Sequence, residues 1–277
     1  AGCRFSDPDL PGPWTESLAR EAALPAAEPL PYRVGIAPIQ FSYNARDLHP
    51  TDPARHGSVP DATGLRRELR AALEASALFA RIEPRGAEAD GLKRVEAEAW
   101  GANDDLLLEL ELIDYHQAFL GHGDGYVPWL LTYVFWIFPA WWMPGDSFGT
   151  EVIAEVRLRD VQGRHAPLFS ERFRVRAEEV ALSLTPSERD WAGFLDFGAL
   201  WNIQKSLEEN NWQAVERLLG PHARRLLCQR ILVALEERVA RPLRVEASGL
   251  EARLRKRLGL AIGVDTGADA RLGGAPH

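Results

Sequence analysis

Leu106 to Ile113 reads LLLELELI. Leu106, Leu108, Leu110 and Leu112 fall on one side of an extended chain, with Glu109 and Glu111 on the other. Side chains of a strand alternate between faces, so this pattern predicts a half-buried strand with one face on a core and one in water. Toward the N-terminus, Phe79 to Glu83 (FARIE) reads as a short strand stopped by Pro84. Before it, Leu65, Leu69 and Leu73 recur every four residues within Leu65 to Leu78, a helix with Thr63 as its N-cap. Tyr32 to Ile39 (YRVGIAPI) is the first strand, with Val34 and Ile36 on one side. Gly91 to Ala102 is a weaker helix, which completes the order strand–helix–strand–helix–strand.

Toward the C-terminus the alternation returns as a hairpin. Glu151 to Arg159 sets Val152, Ala154, Val156 and Leu158 against mostly charged residues, Asp160-Val161-Gln162-Gly163 turns, and Leu168 to Arg176 places Phe169, Phe173 and Val175 inward. Arg157, Arg159, Arg172, Arg174 and Arg176 then form a basic sheet face, partly balanced by Glu151, Glu155, Glu171, Glu178 and Glu179. From Pro186 the pattern is helical: Asp190 to Gln204, Asn211 to Leu219 with an interruption at Gly220-Pro221, and His222 to Val239 with Leu227, Ile231, Leu235 and Val239 in line. The fold class is therefore α/β (α+β): a mixed sheet of about five strands packed with helices, with a helical C-terminal part. The organisation expected is a tether over 1–31, a single α/β domain over 32–245, and an amphipathic helix with a disordered tail over 246–277. In the last part Leu250, Leu254 and Leu258 lie at helical spacing between arginines.

Between the two halves of the sheet stands Tyr126 to Met143, YVPWLLTYVFWIFPAWWM: eighteen residues without charge, eight of them aromatic. A spanning helix needs about 20 apolar residues, and Pro128 and Pro139 leave only Trp129 to Phe138 unbroken. Two readings stand. The segment is an element of the domain's own core, or Tyr126, Trp129, Tyr133, Trp136, Phe138, Trp141 and Trp142 meet a headgroup layer or a partner. The preceding Gly121-His122-Gly123-Asp124-Gly125 lacks the spacing of a dinucleotide loop, P-loop or EF-hand and reads as a turn.

The 277 residues carry a formal charge of −8, which argues against nucleic-acid binding. Residues 4–31 hold six prolines, the composition of a semi-extended spacer. Ala1-Gly2-Cys3 resembles the tail of a bacterial lipobox, although the leucine expected before Ala1 is absent. The resemblance implies a cysteine acylated on its thiol and amine, and Arg4, in place of the aspartate that retains such proteins at the inner membrane, implies the outer membrane. Cys228, among Leu226, Leu227 and Ile231, reads as a buried inert thiol.

Motifs for hydrolysis, zinc binding and nucleotide binding are missing from the sequence. His49 and His56 have no metal-ligand spacing around them. The expectation is a protein with no catalytic residues, no metal and no cofactor. The strands YRVGIAPI, FARIE and LLLELELI, the helix TGLRRELRAALEASAL and the hairpin EVIAEVRLRDVQGRHAPLFSERFRV together resemble the α/β domain of bacterial envelope lipoproteins of the CsgG and TolB-amino-terminal kind, over Tyr32 to Arg176. That resemblance implies a non-catalytic assembly, export or scaffolding role through protein contacts. The first expectation is thus a periplasm-facing outer-membrane lipoprotein, held to the membrane by Cys3 and binding other envelope proteins or its own copies. A second is a soluble periplasmic enzyme or ligand-binding domain with a site near His116, His122 and Asp124. A third is a component of an oligomeric CsgG-like channel, disfavoured because Tyr126 to Met143 does not alternate as a barrel strand would.

Overall fold

In the computed structural model, the described residues are 29–43, 52–85, 104–123, 125–135, 137–161, 167–188, 207 and 209–246. The expected helices at 91–102, 190–204 and 249–258, most of the tether, the tail, His49, Asp124 and Trp136 lie outside them. In chain order the elements are β1 (Leu30–Ile36), β2 (Gln40–Phe41), β3 (Arg55–Gly57), α1 (Ala62–Ser76), β4 (Phe79–Pro84), β5 (Leu106–His122), α2 (Tyr126–Phe135), α3 (Ile137–Ala140), β6 (Asp146–Asp160), β7 (Phe169–Val175), a 3₁₀ turn (Ala177–Val180), β8 (Leu182–Leu184) and α4 (Glu209–Leu235).

The main sheet runs β4-β1-β5-β6-β7, with β2 and β3 added along β5 and β8 along β6. β1 is parallel to both β4 and β5, whereas β5–β6 and β6–β7 are antiparallel, so the sheet is mixed. The parallel pair β1–β4 needs a crossover, and α1 supplies it. Asp61, rather than Thr63, caps this helix: its Oδ1 accepts the Gly64 N–H at 2.9 Å. Leu65, Leu69 and Leu73 are buried, and α4 lines the same core with Leu227, Ile231 and Leu235. Each such leucine contributes about 1.5–3 kcal/mol on leaving water.

β5 is longer than its hydrophobic alternation. The ladder with β6 slips at Ile113, pairing Leu112 with Ala154 and Tyr115 with Val152. Ala154 and Val152 share a face, so the bulge hands the helix-facing side from the even residues to Tyr115, Gln117 and Phe119. A second slip at Leu120 brings His122 back to that side, opposite Asp146. The strand expected to end at Ile113 therefore runs on for nine residues, and the first two residues of the expected turn, Gly121 and His122, belong to it.

α4 differs from its expectation as well. Gly220-Pro221 does not interrupt it: Pro221 lies inside one helix, which continues through a π turn (Glu236–Ala240). Gly220 has another use, since a Cβ there would meet the Glu216 side chain and come within 3.0 Å of the Tyr115 hydroxyl. The small residue lets the helix lie close on β5.

The sheet's other face carries the charge. Arg159 pairs with Glu109 at 3.0 Å, Arg157 with Glu155 at 2.7 Å and Glu111 at 3.2 Å, and Arg174 with Glu151 at 2.6 Å. Arg172 stands opposite Glu155, and the exposed Arg176 offers its backbone N–H to Glu179. The expected basic face is therefore a ladder of alternating sign. Part-exposed pairs of this kind are each worth about 0–1 kcal/mol and present little net charge.

Candidate functional site

The long β5–β6 pair carries the aromatic segment at its far end. Gly121 turns the chain with φ +111°, a conformation that disfavours side chains. The Gly123 N–H then donates to the Gly145 carbonyl at 3.0 Å and closes the base of the excursion. Tyr126 to Phe135 forms α2; Pro128 falls in its first turn, where a helix needs no N–H. Pro139 falls in the short α3 that follows.

Helical spacing then divides the segment into two sides. Trp129 and Tyr133, four residues apart, are each 1% exposed and pack with Ala140. The Trp129 indole N–H donates to the Ala140 carbonyl at 2.9 Å, which ties α2 to α3. Gly145 passes beneath its ring, where a Cβ would come within 3.2 Å of it. His122, Tyr126, Trp129 and Tyr133 stack in series, with centroids 3.6, 5.6 and 5.5 Å apart. His122 Nδ1 lies 2.9 Å from Oδ1 of the buried Asp146. Burial, and then the Asp146 charge, raises the Tyr126 phenol above its ordinary pKa.

The opposite side has no cover among the described residues. Val127, Leu131, Val134 and Phe135 follow at i, i+4, i+7 and i+8, and with Trp142 they are between 55% and 76% exposed. Of the expected contact residues, Trp129 and Tyr133 belong to the interior, Tyr126 and Trp141 are half-buried, and Trp142 is exposed. The Phe138 side chain, like Trp136, is outside the description. The aliphatic stripe is absent from the expected contact residues, which follow the aromatic rings alone. The period from Val127 to Phe135 was the available signal. The segment is thus core on one side and open surface on the other. It is helical, so within α2 and α3 it offers no strands for a barrel.

Two polar arrangements lie away from this tip. In the first, the Tyr115 hydroxyl reaches the Glu216 carboxylate at 2.7 and 2.8 Å, and Gln117 Nε2 donates to the same group. Arg224 stands 3.8 Å from Glu216 and 3.5 Å from Glu68. Burial pushes Glu216 up to about 7, opposed by the Tyr115 bond, the Arg224 charge and the Gln117 bond. Cys228 is pushed up to about 12 by burial, so its thiol stays protonated and unreactive at neutral pH. In the second, buried His116 has Nδ1 3.0 Å from Asp114 and Nε2 3.7 Å from Glu151, which in turn holds Arg174.

His116 and His122 do not meet. The slip at Leu120, between them, puts them on opposite faces of the sheet, six residues apart, about 20 Å along the strand. With Asp124 outside the description, the expected His116–His122–Asp124 site is not assembled by the residues described. No group of three or more potential metal ligands occurs among them.

No protein-family model and no curated protein matches the chain. Among solved structures, the crystal structure of protein XCC0632 from Xanthomonas campestris, of the DUF330 family, is 11% identical, covering 72% of this chain and 93% of that one at a TM-score of 0.31. The hypothetical protein CT253 from Chlamydia trachomatis is 10% identical, covering 69% and 97% at a TM-score of 0.30. Likenesses of that size carry no argument about what this chain does.

Proposed function

We propose that this chain is a non-catalytic lipoprotein of the bacterial envelope, tethered to the periplasmic face of the outer membrane through acylated Cys3, and that it works by docking through the open side of α2 and α3. The observation that carries the reading is the exposed stripe of Val127, Leu131, Val134, Phe135 and Trp142 on a segment with no charged residue. Exposed apolar patches of this kind mark interaction sites. Support for the anchor comes from Ala1-Gly2-Cys3 and the proline-rich spacer after it. Several acyl chains, at about 0.8 kcal/mol per buried CH₂, hold a protein durably on a leaflet. The role that fits is accessory, in assembly, scaffolding or transport alongside other envelope proteins or its own copies, with the open side of α2 and α3 meeting the bilayer surface or another subunit.

The test is the intact mass of the native protein extracted from membranes. Acylation of Cys3, with solubility only in detergent, is the expected result. Native protein with an unmodified Cys3, soluble without detergent, ends the anchored reading.

A further inference from the structure

We infer that the open side of α2 and α3 seats in an uncharged lipid surface, entering one leaflet and no further. The inference rests on reading this side as the working surface, and three features of the tip select its occupant.

The first is charge. From Phe119 to Phe148 there is no lysine or arginine; the only ionisable groups besides tyrosine are His122, Asp124 and Asp146. Helices that lie on anionic membranes carry cations on the flanking face to meet the phosphates. Here no cation flanks the stripe within that span, so apolar transfer alone must drive entry. A zwitterionic or neutral lipid layer satisfies that condition.

The second is hydrogen bonding. A group entering hydrocarbon has no water to turn to, so its polar atoms need partners inside the segment. Thr132 Oγ1 donates to the Pro128 carbonyl at 2.8 Å, and Trp129 Nε1 donates to Ala140. Both bonds stay within the segment. A protein partner ordinarily meets a polar rim that fixes register, and between Val127 and Phe135 the exposed surface is aliphatic and aromatic.

The third is length. α2 has 10 residues, so it extends about 15 Å, roughly half of a hydrocarbon core. No helix among the described residues is long and apolar enough to cross a membrane. Tyr126 with His122 and Asp146 at the base, and Trp142 at the side, give the tip the aromatic and polar groups that settle at the headgroup level.

The experiment is flotation of the full 277-residue chain, unacylated through Cys3→Ser, with phosphatidylcholine vesicles and with vesicles containing phosphatidylglycerol, at low and high salt. Expected is binding to phosphatidylcholine that salt does not weaken and anionic lipid does not improve, reduced on the order of tenfold or more by Leu131→Glu and by Phe135→Glu. Both positions are exposed, and circular dichroism checks that the variants fold. Binding confined to anionic vesicles and lost in salt overturns the inference, as does vesicle binding that the substitutions leave unchanged. Failure to bind vesicles, with self-association in sedimentation that the same substitutions abolish, makes a second copy the occupant; the lipid inference falls and the working-surface reading stands. If neither vesicle binding nor self-association is seen, both fall.

Discussion

Glu216 is held by side chains about a hundred positions away: Tyr115 donates from 101 residues off and Gln117 from 99. No local pattern reveals such a contact, because the bulge at Ile113 is what turns Tyr115 and Gln117 toward α4. Polar residues after Ile113 predict the end of the strand there, since burial normally excludes them. The network has a pH signature. Burial raises the Glu216 pKa to about 7 in the fold, above its ordinary value of 4.5. In the unfolded chain the proton leaves near 4.5, whereas the folded chain keeps it to about 7. Stability from this group is therefore fullest below pH 4.5, falls as pH rises toward 7, and levels off above it, by about 3 kcal/mol in all. Glu216→Gln, which cannot ionise, is expected to flatten that fall; urea denaturation at pH 5 and pH 8 measures it, and an unchanged pH dependence would assign the slope to other groups. Gly149 makes a steric test at the same scale. A Cβ there would fall on the Ala177 carbonyl, so Gly149→Ala is expected to cost about 1–3 kcal/mol in the same denaturation assay.

At the scale of elements, what was legible was whatever repeats locally. The leucine stripe of α1, the alternation at the start of β5 and the β6–β7 hairpin fall within a few residues of their predicted places. The misses are long-range or compensated. Gly220-Pro221 carries the local signature of a break, yet the helix continues and uses the glycine for close approach to Tyr115. The aromatic segment is the sharpest case, because composition marked it while only helical period and packing divide it into two sides. That division predicts opposite outcomes for two aromatic residues six positions apart. Trp129→Ala removes a fully buried ring and its bond to Ala140, and is expected to cost about 3–5 kcal/mol and to open the tip to protease. Phe135→Ser alters an exposed side chain and is expected to change stability by about 0.5 kcal/mol or less. Denaturation curves with limited proteolysis distinguish them; equal losses would mean that the two sides of α2 are not packed differently.

Across the whole molecule, the strand directions separate the tether from the tip. β1 is parallel to β5, with Val34 opposite Leu106, so the chain enters the sheet at the end where β5 begins. The tip stands where β5 ends, 17 residues on, about 50 Å away. Cys3 and Leu30 are 27 residues apart, a span that reaches about 90 Å at full extension. With the sheet standing on the membrane at its tip, an acylated Cys3 and a seated tip share one leaflet only if the intervening chain covers the length of the sheet. Deleting Gly12 to Pro25 leaves 13 residues of span, about 45 Å at most, which is too short. The acylated deletion variant is expected to stay on dilute vesicles through Cys3 while its tip leaves the lipid. A fluorophore at Leu131→Cys reports this by losing quenching from lipid-borne quenchers, which the undeleted protein retains; the buried Cys228 is shielded from the label. Quenching that survives the deletion would mean that the sheet lies along the membrane, with both of its ends at the surface.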